Sequence, residues 1–293
     1  MLEKARVEAI RSAVMIWAEH VGRDLPWRRT RDPWAVLVSE VMLQQTQVAR
    51  VIPKWEAFLR SLPTVESCAD APQATVVRLW EGLGYHRRAM NLHRAAIMVM
   101  EQFGGTFPAS LGELQRLPGV GPYTARALLA FAFEADAAVV DTNVGRILAR
   151  AVTGEKCGPK EAQMWADSLV PASEAWAWNQ AVLDLGATVC TKHRPKCLSC
   201  PLQRLCSWFR DGLTDPDPAV GSAGVSGLQS RFAGSDREGR GRLLAALREG
   251  AVSAASLANA MGWPDDPERA IRVAKTLVLD GLACRTSDAY DLN

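Results

Sequence analysis

Four cysteines close together near residue 200 constrain the fold of this chain more than any other feature of its sequence. They follow the pattern Cys190-x6-Cys197-x2-Cys200-x5-Cys206. Four thiolates on so short a segment can converge on one centre, which suits either Zn²⁺ or an iron–sulfur cluster. Zinc sites usually pair two C-x2-C segments, whereas this stretch holds only one, so the spacing favours a [4Fe–4S] cluster. We therefore expect residues 190–206 to form a loop around a metal centre.

Helical periodicity dominates the chain up to about residue 187. Apolar residues recur at three- and four-residue spacing in the ranges 8–21, 34–50, 73–83, 86–103, 123–133 and 142–152. Proline and glycine separate these ranges, and the alternation typical of strands is nearly absent. We therefore predict an all-α domain that spans residues 1–210 and includes the cysteine loop.

The sequence after residue 210 changes character. Residues 211–227 are rich in Asp, Pro, Gly, Ser and Ala, which is typical of a flexible linker. Helical periodicity over 236–248, 253–261 and 267–280 then precedes short runs with strand character at 282–285 and 290–292. Three helices and a small hairpin resemble a winged-helix module over residues 228–293. Because the charges of this module cancel, it has no strong electrostatic signature for DNA.

Composition argues against a membrane protein and leaves room for a nucleic-acid partner. Hydrophobic residues make up 48% of the chain, yet no run approaches the ~20 apolar residues of a membrane helix. Residues 1–11 have no signal-peptide layout, so we expect a cytoplasmic location, where cysteines more often bind metal than form disulfides. The net charge is only +2, so any basic face would have to be local.

A turn rich in proline and glycine, Leu117-Pro118-Gly119-Val120-Gly121, lies between two helical ranges. Its glycines permit positive φ angles and a close approach of the backbone, and the next helix begins with exposed N–H groups. Such a turn can bind a phosphate. A turn between helices can also use these residues without any ligand.

Taken together, the turn, an aspartate about twenty residues after it and the four-cysteine tail resemble the endonuclease III superfamily of helix-hairpin-helix DNA glycosylases. Within it, three segments look like the MutY-type adenine DNA glycosylases: LPWR at 25–28, SEVMLQQTQV at 39–48 and WEGLGY at 80–85. The resemblance covers roughly residues 12–210. It implies two helical lobes, one with the turn and the other with a [4Fe–4S] cluster loop, and an active site in the cleft. It also implies a monomer, located at the nucleoid, that binds double-stranded DNA with a mispaired or damaged base.

The same resemblance assigns catalytic roles to four residues. Glu40 matches the acid that protonates adenine and later handles water, and Asp141 matches the carboxylate that stabilises positive charge on the sugar. Asn143 and Tyr123 match residues that support this pair. In strand-cleaving relatives a lysine at the position of Tyr123 forms a Schiff base with the sugar. The resemblance therefore implies a monofunctional glycosylase that leaves the strand intact.

Ten further residues are implied to bind the DNA, in three groups: the adenine pocket, the wedge that enters the duplex near the opposing 8-oxoguanine, and the glycine turn. They are Arg23, Trp27, Arg28 and Gln180 in the pocket, Gln45, Thr46, Leu83 and Tyr85 in the wedge, and Gly119 and Gly121 in the turn.

This chemistry requires two carboxyl groups in different protonation states. Protonation of a ring nitrogen makes adenine a better leaving group, while the sugar becomes oxocarbenium-like, as in glycoside hydrolysis. Glu40 lies in an apolar helix, where desolvation would raise its pKa. Asp141 precedes a helix, whose N-terminus would favour the ionised carboxylate. We therefore expect their pKa values to separate.

The C-terminal module departs from the family pattern. MutY-type proteins commonly carry a β-rich, Nudix-like domain that helps to read 8-oxoguanine, and residues after 227 do not resemble it. Either Gln45, Thr46 and Leu83 suffice to read the opposing base, or the module replaces the missing domain, or the specificity has drifted. Two alternatives stay open, namely a thymine glycosylase for G·T mismatches and a non-catalytic iron–sulfur protein that binds DNA. Gln180 favours adenine, and the presence of both Glu40 and Asp141 argues against the second alternative.

Overall fold

The structure is a computed structural model, and it describes residues 3–223 and 231–292. It confirms the predicted all-α domain, because the strands of the described residues all lie after residue 251. In chain order the α-helices are α1 (Lys4–Val21), α2 (Pro33–Leu43), α3 (Val48–Ser61), α4 (Val65–Ala69), α5 (Gln73–Leu79), α6 (Arg87–Phe103), α7 (Leu111–Leu114), α8 (Pro122–Phe131), α9 (Thr142–Ile147), α10 (Pro159–Leu169), α11 (Ala175–Thr188), α12 (Ser207–Arg210), α13 (Asp236–Glu249), α14 (Leu257–Met261) and α15 (Pro267–Leu279).

Shorter elements complete the secondary structure. The 3₁₀ turns are Pro26–Arg29 and Cys197–Ser199, and a π-helical turn, Leu148–Thr153, continues α9. The strands are β1 (Val252–Ser253), β2 (Ala283–Arg285) and β3 (Ala289–Leu292). Among the described helices, none combines the length and the apolar character needed to cross a bilayer.

The chain forms two compact units. The first consists of Met1–Val36, Ala109–Gln115 and Val120–Leu228, and the second of Leu37–Pro108, Arg116–Gly119 and Gln229–Asn293. The chain therefore passes between the units several times, so each unit contains segments that are far apart in sequence.

The core of the first unit forms around α1 and α11. Ile10 and Val14 lie four residues apart, on one face of α1, and both are buried. Trp178 and Leu185 of α11 belong to the same apolar cluster. Cysteines of the 190–206 loop pack against this cluster from its edge. The loop is thus attached directly to the core that supports α9 and α11.

The second unit contains the long amphipathic helices α3 and α6. On α3 the buried residues Val51, Trp55 and Phe58 recur at helical spacing, which matches the periodicity of the sequence. Thr64 caps the next helix, α4, and forms a capping box with Ser67. These contacts fix the helices that carry the wedge segments at their ends.

The C-terminal residues of the second unit, 231–292, form a small module of three helices and three strands. The antiparallel sheet has the order β1-β3-β2, with Val252 opposite Tyr290. The apolar core of the module includes Val77 and Met90, which belong to α5 and α6. The module therefore shares a core with the second unit. Its winged-helix character and the boundaries 1–210, 211–227 and 228–293 stay predictions.

Two expectations differ from the structure. The helix predicted over 34–50 is interrupted, since α2 ends at Leu43 and α3 begins at Val48, and Gln45 between them has a φ of 56°. A left-handed residue cannot continue a right-handed helix. The predicted flexible linker is exposed over 211–216 but packed towards residue 223, where Ala223 joins the first core and its N–H donates to the Cys157 carbonyl at 2.8 Å. Residues 224–227 lie outside the described residues.

Candidate active site

Asp141 is held firmly at the start of α9. It is the N-cap of α9, and its Oδ1 accepts hydrogen bonds from the backbone N–H groups of Asn143 and Val144, both at 2.8 Å. Its Oδ2 accepts a bond from the Asn143 side-chain amide at 2.8 Å. A short polar residue at an N-cap satisfies N–H groups that the helix leaves unpaired. The structure therefore brings Asp141 and Asn143 together, as the sequence predicts.

Two residues that the sequence analysis missed hold this carboxylate in place. Asn179 is buried on α11 and accepts a bond from the Val139 N–H at 2.9 Å, which fixes the segment that leads into Asp141. Arg146 is buried on α9 and donates to Asn143 Oδ1 at 2.8 Å and to the carbonyl of Cys190. Arg146 thus joins the Asp141 site to the first cysteine of the loop.

The pKa of Asp141 differs from the expectation. Burial raises the pKa of this carboxyl above its usual range, while the bonds from Val144 and Asn143 and the charge of Arg146 act in the opposite direction. The sequence predicted only the favourable effect of the helix N-terminus. Desolvation disfavours the charged form of an acid and is the larger effect here. The helix N-terminus acts in the predicted direction, but burial outweighs it, so the net shift of this pKa is upward.

A buried ion-pair cluster lies between the Pro26–Arg29 turn and α11. Both terminal nitrogens of Arg28 donate hydrogen bonds to the Asp184 carboxylate, at 2.7 and 2.8 Å. The backbone N–H of Arg23 donates to the same carboxylate at 2.9 Å. Burial alone would raise the pKa of Asp184, but the bonds from Arg28 and Arg23 lower it. Gln180 lies four residues before Asp184 on the same side of α11. Asp184 was missed, although its helical spacing from Gln180 was visible in the sequence.

Trp27 precedes Arg28 in the sequence, and its side chain is buried, with an exposure of 8%. It is the second residue of the Pro26–Arg29 turn, which follows Leu25 and begins with proline. Proline is favoured at the first position of a helical turn because it has no N–H to satisfy. Three of the predicted pocket residues, Arg23, Trp27 and Arg28, are therefore fixed by one short turn and by Asp184.

Glu40 lies on α2, in the second unit, whereas Asp141 belongs to the first. Its side chain is largely buried, with 6% exposure, and it follows Ser39 and precedes Val41, which are both buried. Such surroundings are unusual for a glutamate unless it has partners or a chemical role. The structure therefore buries Glu40, as its place in an apolar stretch of the sequence predicts.

The predicted wedge residues occupy two turns with left-handed backbone. Gln45 has a φ of 56° and Tyr85 a φ of 48°, and both side chains are exposed. Non-glycine residues in this region are uncommon and are often found at functional sites. Thr46 is half-buried. Leu83 is buried, with 4% exposure, so its side chain does not project from the turn as those of Gln45 and Tyr85 do.

Arg88 joins these two turns and was missed by the sequence analysis. Its Nη1 donates to the carbonyls of Val41, Met42 and Gln44 at 2.7, 3.0 and 2.5 Å. Its Nη2 donates to Thr46 Oγ1 at 3.1 Å and to two carbonyls of the other turn, those of residues 83 and 84, at 3.2 and 3.1 Å. Burial lowers the pKa of Arg88 to about 10, so it stays charged at neutral pH.

The structure confirms only part of the geometry that was predicted for the glycine turn. Gly119 has a φ of 80°, and a Cβ there would lie 2.8 Å from Cβ of Asn91, so the position requires glycine. Gly121 is the N-cap of α8 with a φ of −87° and open space around it. Tyr123, for which the resemblance predicts a supporting catalytic role, is the second residue of α8.

All four cysteines of the 190–206 loop line one cavity, together with apolar residues such as Leu202 and Trp208. In the described part of the chain, no three metal-ligating side chains are placed to hold a single ion. Arg150 donates to Sγ of Cys190 at 3.5 Å. Burial raises the pKa of the Cys200 thiol to about 12. Four thiols that line one cavity give this loop the set of sulfur donors that a metal centre requires.

Comparisons with known proteins point to one group of enzymes. The HhH-GPD superfamily of base excision DNA repair proteins matches residues 38–171. The adenine DNA glycosylase of Mycolicibacterium smegmatis is 40% identical over 279 residues, which cover 94% of this chain and 92% of that protein. The human adenine DNA glycosylase is 43% identical over 217 residues, 69% of this chain and 40% of the human protein. An alignment over 94% of the chain must include much of the C-terminal module.

Solved structures show the same fold. A thermostable thymine-DNA glycosylase superposes with a TM-score of 0.66 at 28% identity, over 71% of this chain and 98% of that one. An endonuclease III trapped covalently on DNA superposes with a TM-score of 0.64 at 24% identity, over 73% of this chain and 100% of that one. The predicted two-part, helix-hairpin-helix fold is therefore confirmed.

Proposed function

Since the chain belongs to the HhH-GPD superfamily of base excision DNA repair proteins and, within it, to the adenine DNA glycosylases, we propose that it hydrolyses the N-glycosidic bond of adenine mispaired with 8-oxoguanine or guanine in double-stranded DNA. The observation that carries the proposal is the Asp141 carboxylate, held by three hydrogen bonds at the N-terminus of α9. It is a fixed negative charge of the kind that an oxocarbenium-like sugar requires.

In the proposed mechanism Glu40 and Asp141 act on different parts of the substrate. The adenine leaves the base stack before reaction, as it must for any chemistry at its glycosidic bond. Glu40 donates a proton to a ring nitrogen, and the bonding electrons pass to the base as it leaves. Asp141 stabilises the positive charge on the sugar, and Glu40, now a carboxylate, accepts a proton from the attacking water. Asn143 keeps the Asp141 carboxylate in one orientation.

Tyr123 determines the product in this proposal. Its phenol cannot form the Schiff base through which an amine attacks the sugar, and the nearest lysines along the chain are Lys54 and Lys156. The product is therefore an abasic site with the strand intact.

The pocket and wedge residues act by position rather than by chemistry. We propose that Arg23, Trp27 and Arg28, fixed by Asp184, form a wall of the adenine pocket, into which Gln180 reaches. The exposed side chains of Gln45 and Tyr85, with Thr46 beside them, would enter the duplex when the adenine leaves. Leu83 would support the turn from within. Gly119 and Gly121 would bind a phosphate at the start of α8.

We also propose that the cysteine loop holds a [4Fe–4S] cluster with Cys190, Cys197, Cys200 and Cys206 as ligands. When bound, such a cluster would supply a structural crosslink between segments of the loop. Iron and sulfide analysis and visible absorption of the purified protein test this proposal. Cys200→Ser should lower the iron content, whereas Cys284→Ser, far from the loop in sequence, should not. Zinc in place of iron would refute it.

One assay tests the proposed function against its alternatives. Duplexes with A·8-oxoguanine, A·G and T·G pairs are incubated with the protein, and strand breaks are scored with and without alkali. Breaks at adenine only after alkali support the proposal. Breaks at thymine would indicate a mismatch thymine glycosylase, breaks without alkali would indicate a lyase, and binding without breaks would indicate a non-catalytic protein.

Two variants test the assignment of the acid. Glu40→Gln should abolish excision while DNA binding persists, because the amide cannot donate the proton. Glu56→Gln, at an exposed position of α3, is the matched control and should keep full activity. Retained excision in Glu40→Gln would refute the assignment. Since DNA is the substrate, we propose that the protein acts in the cytoplasm, at the nucleoid.

A further inference from the structure

A groove of about 900 Å³ lies within the second unit, between the wedge turns and the C-terminal module. One side carries Gln45 and Tyr85. The other side carries Phe232 and two residues of α13, Arg237 and Arg240. A volume of this size, open to solvent and lined by two separate parts of the chain, is large enough for several nucleotides of a DNA backbone.

The lining of this groove is strongly basic. Six arginines line it, whereas Glu81 is the acidic residue among its described lining residues. The arginines are Arg50, Arg87, Arg88, Arg237, Arg240 and Arg248. Because the whole chain has a net charge of only +2, this groove concentrates positive charge in one place.

Carboxylates neutralise only part of this charge. Arg248 pairs with Glu81 at 2.9 Å, and Arg240 pairs with Asp280 at 2.6 Å. The burial of His86, together with the charges of Arg248 and neighbouring arginines, lowers the pKa of its imidazole to about 4. The histidine is thus neutral at pH 7, and the arginines remain in excess over their carboxylate partners.

A direct contact links the module to the wedge. Nη1 of Arg237 donates to the hydroxyl of Tyr85 at 2.6 Å, and its guanidinium lies 5.8 Å from the Tyr85 ring and 5.9 Å from the Phe232 ring. Cation–π contacts at this distance orient both partners. A DNA strand that contacts Tyr85 would therefore also lie next to α13.

We propose that α13 binds phosphates of the DNA strand that faces the wedge turns, namely the strand that carries the base opposite the target adenine. This inference rests on the proposed function, because that function places Gln45 and Tyr85 in the duplex. Guanidinium groups are well suited to phosphate oxygens. Phosphate contacts set the register of a protein on DNA without reading its sequence. The module thus supplies affinity and register for the opposing strand, in a chain without a Nudix-like domain.

The test measures DNA affinity as a function of salt concentration. Wild type, Arg237→Gln and Arg240→Gln are titrated against fluorescent duplexes that contain 2′-fluoroadenosine, which resists excision, opposite 8-oxoguanine or guanine. Loss of one charge-assisted phosphate contact should weaken binding about tenfold and lower the slope of log K against log salt by about one. Both duplexes should be affected equally.

The matched control is Arg242→Gln. Arg242 lies on the same helix and loses the same charge, but it pairs with Glu238, has 53% side-chain exposure and does not line the groove. This variant should bind as the wild type does. If Arg240→Gln unfolds because it loses Asp280, Arg237→Gln still decides the question.

Failures of the two proposals are distinguishable. Unchanged affinity and salt slope in Arg237→Gln and Arg240→Gln would overturn the inference, as would a loss confined to one opposing base. Absence of adenine excision by the wild-type protein would overturn the proposed function instead, whatever the binding data show.

Discussion

Replacement of Arg88 with methionine should destabilise both wedge turns at once. Methionine has a similar length but no donors, so the carbonyls that the guanidinium binds would lose their partner. The carbonyls of Val41 and Met42 are among the last four of α2, for which the helix itself supplies no N–H donor. Those of residues 44, 83 and 84 lie in the turns themselves.

The magnitude follows from the number of groups left without a donor. Five carbonyls, each losing a hydrogen bond to a charged group in a half-buried site, give a loss of about 5 kcal/mol in the free energy of unfolding. Urea unfolding should show a lower midpoint with an unchanged m-value, because the surface exposed on unfolding is the same. Arg88→Lys should fall between wild type and Arg88→Met, since one ammonium cannot span both turns.

Arg87→Met is the control for this prediction. Arg87 is the neighbouring residue, its side chain is 73% exposed, and it approaches Asp280 only at 3.8 Å. Its replacement should change the free energy of unfolding by less than about 1 kcal/mol. If Arg88→Met were no less stable than Arg87→Met, the reasoning that Arg88 holds the turns together would be refuted.

Three further predictions concern the first unit and the glycine turn. Gly119→Ala should cost about 1–3 kcal/mol of stability, because its φ is positive and a neighbouring side chain is close, whereas Gly121→Ala should be neutral by the same thermal melt. Asp184→Asn should cost about 3 kcal/mol by leaving Arg28, whose side chain is only 10% exposed, without its carboxylate partner, while Asp24→Asn, at an exposed ion pair, should change little. Since the pKa of Asp184 is lowered in the folded protein, its contribution is present above about pH 4 and is lost as the pH falls further. Since the pKa of Asp141 is raised, the single-turnover excision rate should fall with decreasing pH already above the usual range of an aspartate, and a rate that stays constant down to about pH 4 would contradict this.

Local sequence patterns predicted most of the helices and the Asp141 cap. Periodicity is a property of a short window, and an N-cap aspartate acts on N–H groups two and three residues later. The sequence could therefore indicate both without knowledge of the rest of the fold.

The parts that were missed depend on contacts between distant segments. Nothing local in residues 44–47 marks the end of α2, since no proline or glycine lies there. The end of α2 is stabilised by Arg88, more than forty residues later in the chain. Asp184 likewise meets Arg28 across 156 residues, and the burial that raises the pKa of Asp141 arises only when the whole unit is packed.

The shared core of the C-terminal module limits how its role can be studied. Val77 and Met90 are almost completely buried, and they belong to the same apolar cluster as α13, α14 and α15. A protein truncated after residue 210 would expose both side chains to water, at about 2 kcal/mol each, and would also lose Ala223 from the other unit. Reduced activity of such a fragment would thus report a damaged scaffold rather than a missing reader of DNA. Point substitutions on the solvent side of α13 keep the scaffold whole, and they alone separate folding from recognition.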